Sequence, residues 1–160
     1  MARPEKTAIP ETDRNAPAVG DELLRQFIGY NMKRTFLVVR EDMHRVLEPL
    51  GLKVATFSVL SVVVENPDIS QSQLAQALKL ERSGMVVLVD ALENDDHISR
   101  NRVPGDRRTY ALRATPKGRR LWEKARTVVE AHEEALFGAV LNEEERALLL
   151  NLLQRVSHAL

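Results

Sequence analysis

A mainly helical fold carrying one small β-hairpin is what this 160-residue sequence predicts. Three observations carry that expectation. Apolar residues recur at helical spacing along most of the chain, in segments separated by Pro, Gly and Asn breaks. One such segment, Met85 to Leu92, is followed closely by two short runs on either side of Pro104-Gly105, a turn dipeptide. Basic side chains crowd this hairpin: from His97 to Lys124 nine Lys and Arg stand against two acids, although the whole chain has a formal net charge of zero. A helix followed by a basic hairpin predicts a winged helix-turn-helix, with the helix laid in a DNA groove and the wing beside it.

Composition narrows the function classes. With 44% hydrophobic and 29% charged residues the chain reads as one globular domain. There is no cysteine, which removes disulfides, thiol redox sensing and cysteine-ligated zinc. No apolar run approaches the roughly 20 residues that span a bilayer, and the N-terminus lacks a secretory pattern. A cytoplasmic protein without membrane contact is expected. No glycine-rich phosphate loop, Gly-x-Ser-x-Gly or His-Glu-x-x-His occurs, and His44, His97, His132 and His158 are scattered. No catalytic residue, cofactor or metal is therefore expected.

In order, residues 1–18 read as a flexible tail with Pro4, Pro10 and Pro17. Residues 19–160 read as a single domain. Its DNA-binding lobe is expected over about 52–114, and its dimerisation helices over about 21–48 and 116–160. One long helix is predicted from Asp21 to about Leu47, ended by Pro49 and Gly51. Asn31, Thr35 and Asp42 fall on its apolar line, and polar groups there need intramolecular partners or a ligand. A short apolar helix follows from Val54 to about Glu65, broken by Asn66-Pro67-Asp68. Ile69 is extended, and Ser70 with Gln73 forms a capping box at the next helix start. Ser70, Ser72 and Gln73 are DNA-binding candidates there.

The recognition helix is expected to bury Met85, Leu88, Val89 and Leu92. Its other face then carries Ser83, Val86, Val87 and Asp90. Ser83 suits a phosphate or base, and the valines suit thymine methyl groups unless another element buries them. Arg82 at the helix start suits a phosphate or a guanine. In the wing, Arg100, Arg107 and Arg108 are DNA-binding candidates, with Asp106 orienting Arg108. Thr115-Pro116 opens a further helix, and Asn142 with Glu145 caps the last one. Leu149, Leu152, Leu153 and Val156, with Leu23, Leu24 and Phe27, exceed what one small domain can cover. A homodimer through the terminal helices is inferred.

Several stretches together resemble the MarR family of bacterial transcription regulators over roughly residues 21–160. These are Ile28-Gly29-Tyr30, Leu47-Glu48-Pro49-Leu50-Gly51-Leu52, Ile69 to Ala75, Leu88-Val89-Asp90-Ala91-Leu92-Glu93, and Asp106-Arg107-Arg108 followed by Thr115-Pro116-Lys117-Gly118. The resemblance implies a winged-helix homodimer, usually a repressor, on a pseudo-palindromic double-stranded operator. It also implies release by a small-molecule effector, such as an aromatic or phenolic acid or an acyl-CoA. Asn31, Lys33, Arg34, Thr35, Arg40 and Phe57 are the ligand-binding candidates. Val86 and Val87 stand where the family often has Ser or Thr and then Arg, and Asn94-Asp95-Asp96 replaces a usual basic-basic-glycine turn. A winged-helix protein-interaction module and a ligand-independent DNA-binding protein remain as alternatives.

Overall fold

The structure, a computed structural model, describes the backbone of residues 20–103 and 106–159, and the side chains within those ranges outside 103–109. The N-terminal tail, with Arg3, Lys6 and Arg14, and the Pro104-Gly105 turn lie outside the described residues. So do the side chains of Asp106, Arg107 and Arg108. Two compact units divide the chain at residues 36 and 37. Helix α1 (Ile28–Leu47) contributes to both.

In the first unit the expected single helix from Asp21 is interrupted. A short 3-10 turn, Leu24–Gln26, ends at Phe27, whose backbone is extended at φ −96°, ψ 128°. Local side chains favour the break. The Asp21 carboxylate accepts from Arg25 Nε (2.6 Å), the Tyr30 hydroxyl (2.6 Å) and an Arg34 nitrogen (2.5 Å). Asn31 Nδ2 donates to the carbonyl of Arg25 (2.7 Å) and to that of Phe27 (2.9 Å), which also accepts the Asn31 amide (3.2 Å). Leu23, Leu24, Phe27, Ile28, Met32 and Phe36 are exposed.

The second unit holds the core. Near its end α1 buries Met43 and Leu47, whereas Val38 is exposed. The buried line thus lies about one position from the line of Asn31, Thr35 and Asp42 that the spacing suggests. Gly51, at φ 70°, closes the following turn; glycine adopts that left-handed backbone without steric cost. Helix α2 (Val54–Glu65) begins where the Lys53 amide donates to Thr56 Oγ1 (2.9 Å) and buries Val59, Leu60 and Val63. Strand β1 (Ile69–Ser70) pairs antiparallel with β3, Ile69 opposite Leu112.

Helix α3 (Gln71–Ala77) starts with the expected reciprocal cap. The Gln73 amide donates to Ser70 Oγ (3.2 Å), and the Ser70 amide donates to Gln73 Oε1 (3.0 Å). Such a cap contributes about 1 kcal/mol. Helix α4 (Arg82–Asn94) buries Met85, Val89 and Leu92 and half-buries Leu88, as its spacing predicts. Strands β2 (Ile98–Val103) and β3 (Asp106–Ala114) form the hairpin, and the sheet order is β1-β3-β2. Leu47, Leu60, Leu74, Met85, Leu92, Ile98 and Leu112 are fully enclosed together. Each such side chain stabilises the fold by about 1.5–3 kcal/mol through lost apolar exposure.

Helix α5 (Pro116–Gly138) opens with Thr115 Oγ1 accepting from the Gly118 amide (2.9 Å). The same hydroxyl donates to the Asp96 carbonyl (2.7 Å), and the Thr115 amide donates to the His97 carbonyl (3.0 Å). A Cβ on Gly118 would lie 1.9 Å from that His97 oxygen, so the turn after α4 and the start of α5 meet backbone to backbone. Trp122 Nε1 donates to Ser61 Oγ (3.0 Å), tying α5 to α2. Helix α6 (Glu143–Ala159) is capped by Asn142 and Glu145, each accepting the other's amide at 2.9 Å.

Candidate functional site

Burial of one face of α4 decides what the other presents. With Met85, Val89 and Leu92 inside, Val86 is 44% exposed and Val87 67% exposed, and Ser83 and Arg82 are exposed at the helix start. No other element of the described chain covers the two valines, so the reading in which they are buried within the fold does not hold for a single chain. Beside them Ser72, Gln73, Gln76, Lys79 and Arg82 line a shallow groove of about 420 Å³ between α3 and α4. Positive potential at the N-terminus of α4 adds to Lys79 and Arg82 and favours a phosphate there. Ser72 is free to face that groove. Ser70 and Gln73 are instead engaged with each other through the cap.

Arg100, expected to contact DNA, is engaged within the fold. Its side chain is only 20% exposed and is ion-paired with both Asp90 and Glu93 of α4. This guanidinium fastens β2 to α4. Asp90, expected on the outward face, is half-buried by the same contact. Arg113 is likewise taken, donating from Nε (2.5 Å) and Nη2 (2.5 Å) to the Asp68 carboxylate. Hydrogen bonding from Arg113 in turn holds the Asp68 carboxyl below its ordinary value. Two of the bases counted toward the positive stretch are therefore compensated by acids from outside it. Arg102, Arg119, Arg120 and Lys124 remain exposed.

The ligand candidates divide between the two units. In the first, Asn31 and Arg34 are engaged by Phe27, Arg25, Asp21 and Tyr30, while Lys33 and Thr35 are exposed. The Tyr30 hydroxyl, followed by Arg25, lowers the Asp21 carboxyl to about 2. The intramolecular reading of Asn31 thus holds, and the Arg34 guanidinium already has a carboxylate. In the second unit, Arg40 and Phe57 line different cavities. Arg40 shares one of about 520 Å³ with Leu37, Glu41, His44, Lys53 and Val54. Phe57 shares one of about 390 Å³ with Ser61, Val64, Glu65, Trp122 and Arg126. His44, Lys53, Ser61 and Trp122 are absent from the candidates read from the sequence. The signal was available: Arg40 and His44 are one helical turn apart, as are Phe57 and Ser61.

A family model described as MarR family matches residues 50–109. A putative transcriptional regulatory protein for the hcr operon of Thauera aromatica is 32% identical over 130 residues, covering 81% of this chain and 78% of that protein. The chain belongs to the MarR family of transcription regulators. Among solved MarR-family neighbours, the transcriptional repressor CouR bound to a 23-mer DNA duplex superposes with TM-score 0.83 at 33% identity, covering 88% of this chain and 99% of that one. CouR from Rhodococcus jostii RHA1 bound to p-coumaroyl-CoA superposes with TM-score 0.74 at 30% identity, covering 83% and 93%. The winged-helix architecture expected from the sequence is shared with these repressors. Among the described residues no three His, Asp or Glu side chains gather as a metal site, and no single helix is long and apolar enough to cross a membrane.

Proposed function

We propose that this MarR-family regulator is a homodimeric repressor that binds a pseudo-palindromic operator and is released by a small aromatic acid or a related acyl-CoA. The outward face of α4 carries the reading: Ser83, Val86 and Val87 stand exposed on a helix whose opposite face is locked into the core. Exposed valines at that position suit thymine methyl groups, while Arg82, Ser72 and Lys79 suit flanking phosphates. Arg107 and Arg108 at the wing tip are assigned to the minor groove and its phosphates. Leu149, Leu152, Leu153 and Val156 leave an apolar stripe on α6 that a second copy would cover.

Selection from a random duplex pool at two salt concentrations tests this. An enriched palindrome with half-sites about one helical turn apart is expected, with affinity falling steeply as salt rises. The second reading, a protein-interaction module, is favoured by the same valine face. It predicts no enrichment and little salt dependence, and that result would overturn the repressor assignment.

A further inference from the structure

We infer that α4 selects its operator by the 5-methyl groups of pyrimidines rather than by hydrogen bonds, so that 5-methylcytosine can stand in for thymine at the bases facing Val86 and Val87. This rests on the operator-binding reading above and deepens it. The mark that is read is a methyl group, whichever base carries it, and an operator step with cytosine is thereby open to regulation by cytosine methylation. From Gly84 to Val89 the chain runs Gly-Met-Val-Val-Leu-Val. Met85 and Val89 are buried and Leu88 is half-buried, so Gly84, Val86 and Val87 make the outward surface. None of these three has a side-chain donor or acceptor. A Cβ on Gly84 would meet nothing within 4 Å, and Gly84 lies about one helical turn from Val87. The chain therefore leaves open space beside Val87.

Polar side chains bracket this surface. Arg82 and Ser83 are exposed at its N-terminal end. At the other end Asp90 is ion-paired with Arg100, which offsets its charge toward phosphate. Of the groups that a base pair shows in the major groove, the thymine methyl is apolar and the others are donors or acceptors. A valine set against a donor or acceptor removes its water and offers no partner, which costs free energy. Against a methyl the same valine gains apolar burial. No side chain at this level of α4 can hydrogen-bond the paired purine, so exchanging thymine·adenine for 5-methylcytosine·guanine keeps the group that is read. Uracil and cytosine both lack it.

The test uses the full chain and the palindrome enriched by the selection above. Each thymine of the half-site is replaced in turn, in both half-sites, by uracil, by cytosine opposite guanine, or by 5-methylcytosine opposite guanine. At one or more positions uracil and cytosine are expected to weaken binding about fourfold for each methyl lost, with 5-methylcytosine within about twofold of thymine. Val86 and Val87 are exposed, so the double variant Val86→Ala, Val87→Ala is expected to keep the parent's circular dichroism. In that variant the thymine–uracil difference at those positions should fall below about twofold. Equal binding of thymine and uracil at every position would overturn the inference. So would a difference that persists in the double variant, since duplex shape would then be its source, or 5-methylcytosine no better than cytosine. Any of these results alongside an enriched palindrome leaves the repressor reading standing. No enriched palindrome would overturn that reading, and this inference with it.

Discussion

Gly118 occupies a position that no other residue can fill without moving backbone. The atom that a Cβ would strike is the His97 carbonyl oxygen, itself held by the Thr115 amide, so neither side can yield cheaply. Gly118→Ala is expected to cost about 1–3 kcal/mol, read as a lower urea midpoint. A variant as stable as the parent would show that the contact relaxes. His97 contributes a second effect at the same junction. Burial, and then the Lys117 ammonium, lower its proton affinity below the ordinary value of 6.5. The unfolded chain therefore protonates this ring at higher pH than the folded chain. Its stabilising contribution is complete above that value and is lost as pH falls below it, toward the lowered folded value. Between pH 7 and 5, His97→Gln should lose less stability than the parent. Equal losses would remove His97 as the source.

At the scale of elements, the wing and the recognition helix are coupled by one guanidinium. Arg100 on β2 bridges Asp90 and Glu93 on α4, so the hairpin's placement depends on a cation that sequence reasoning assigned to DNA. Arg100→Ala leaves two partly buried carboxylates without their partner. It should weaken operator binding by misplacing the wing while leaving the salt slope unchanged. Exposed Arg102 has the opposite expected signature, Arg102→Ala reducing that slope by about one. Salt titrations of both variants separate a positioning role from a phosphate contact. A slope reduced by Arg100→Ala would return that residue to the interface.

At the scale of the whole molecule, α6 buries none of its residues within the chain, and Leu148, Leu149, Leu152 and Leu153 are exposed. A 17-residue helix with an uncovered leucine stripe has little reason to persist alone. Leu152→Glu combined with Leu153→Glu should convert a dimer into monomers in sedimentation velocity and abolish operator binding with it. A double variant that still sediments as a dimer would place the interface elsewhere.

Local chemistry made much of this fold legible from the chain alone. The Ser70–Gln73, Thr115–Gly118 and Asn142–Glu145 caps act over three residues, and the buried line Met85-Val89-Leu92 is a matter of helical period. Such signals involve near neighbours, so the order of residues contains them. Tertiary structure decided what depends on distant partners. Asp90 and Glu93 meet Arg100, and Asp68 meets Arg113 across 45 positions, which withdraws two arginines from the basic stretch. The apolar face of α1 is broad enough to contain several buried lines, and only packing selects Met43 and Leu47 over Val38. Phe57 and Trp122 come from helices far apart in sequence, and a cavity between them exists only once α2 and α5 are packed. Periodicity and capping are local in the chain, whereas charge pairing and cavities are local in space.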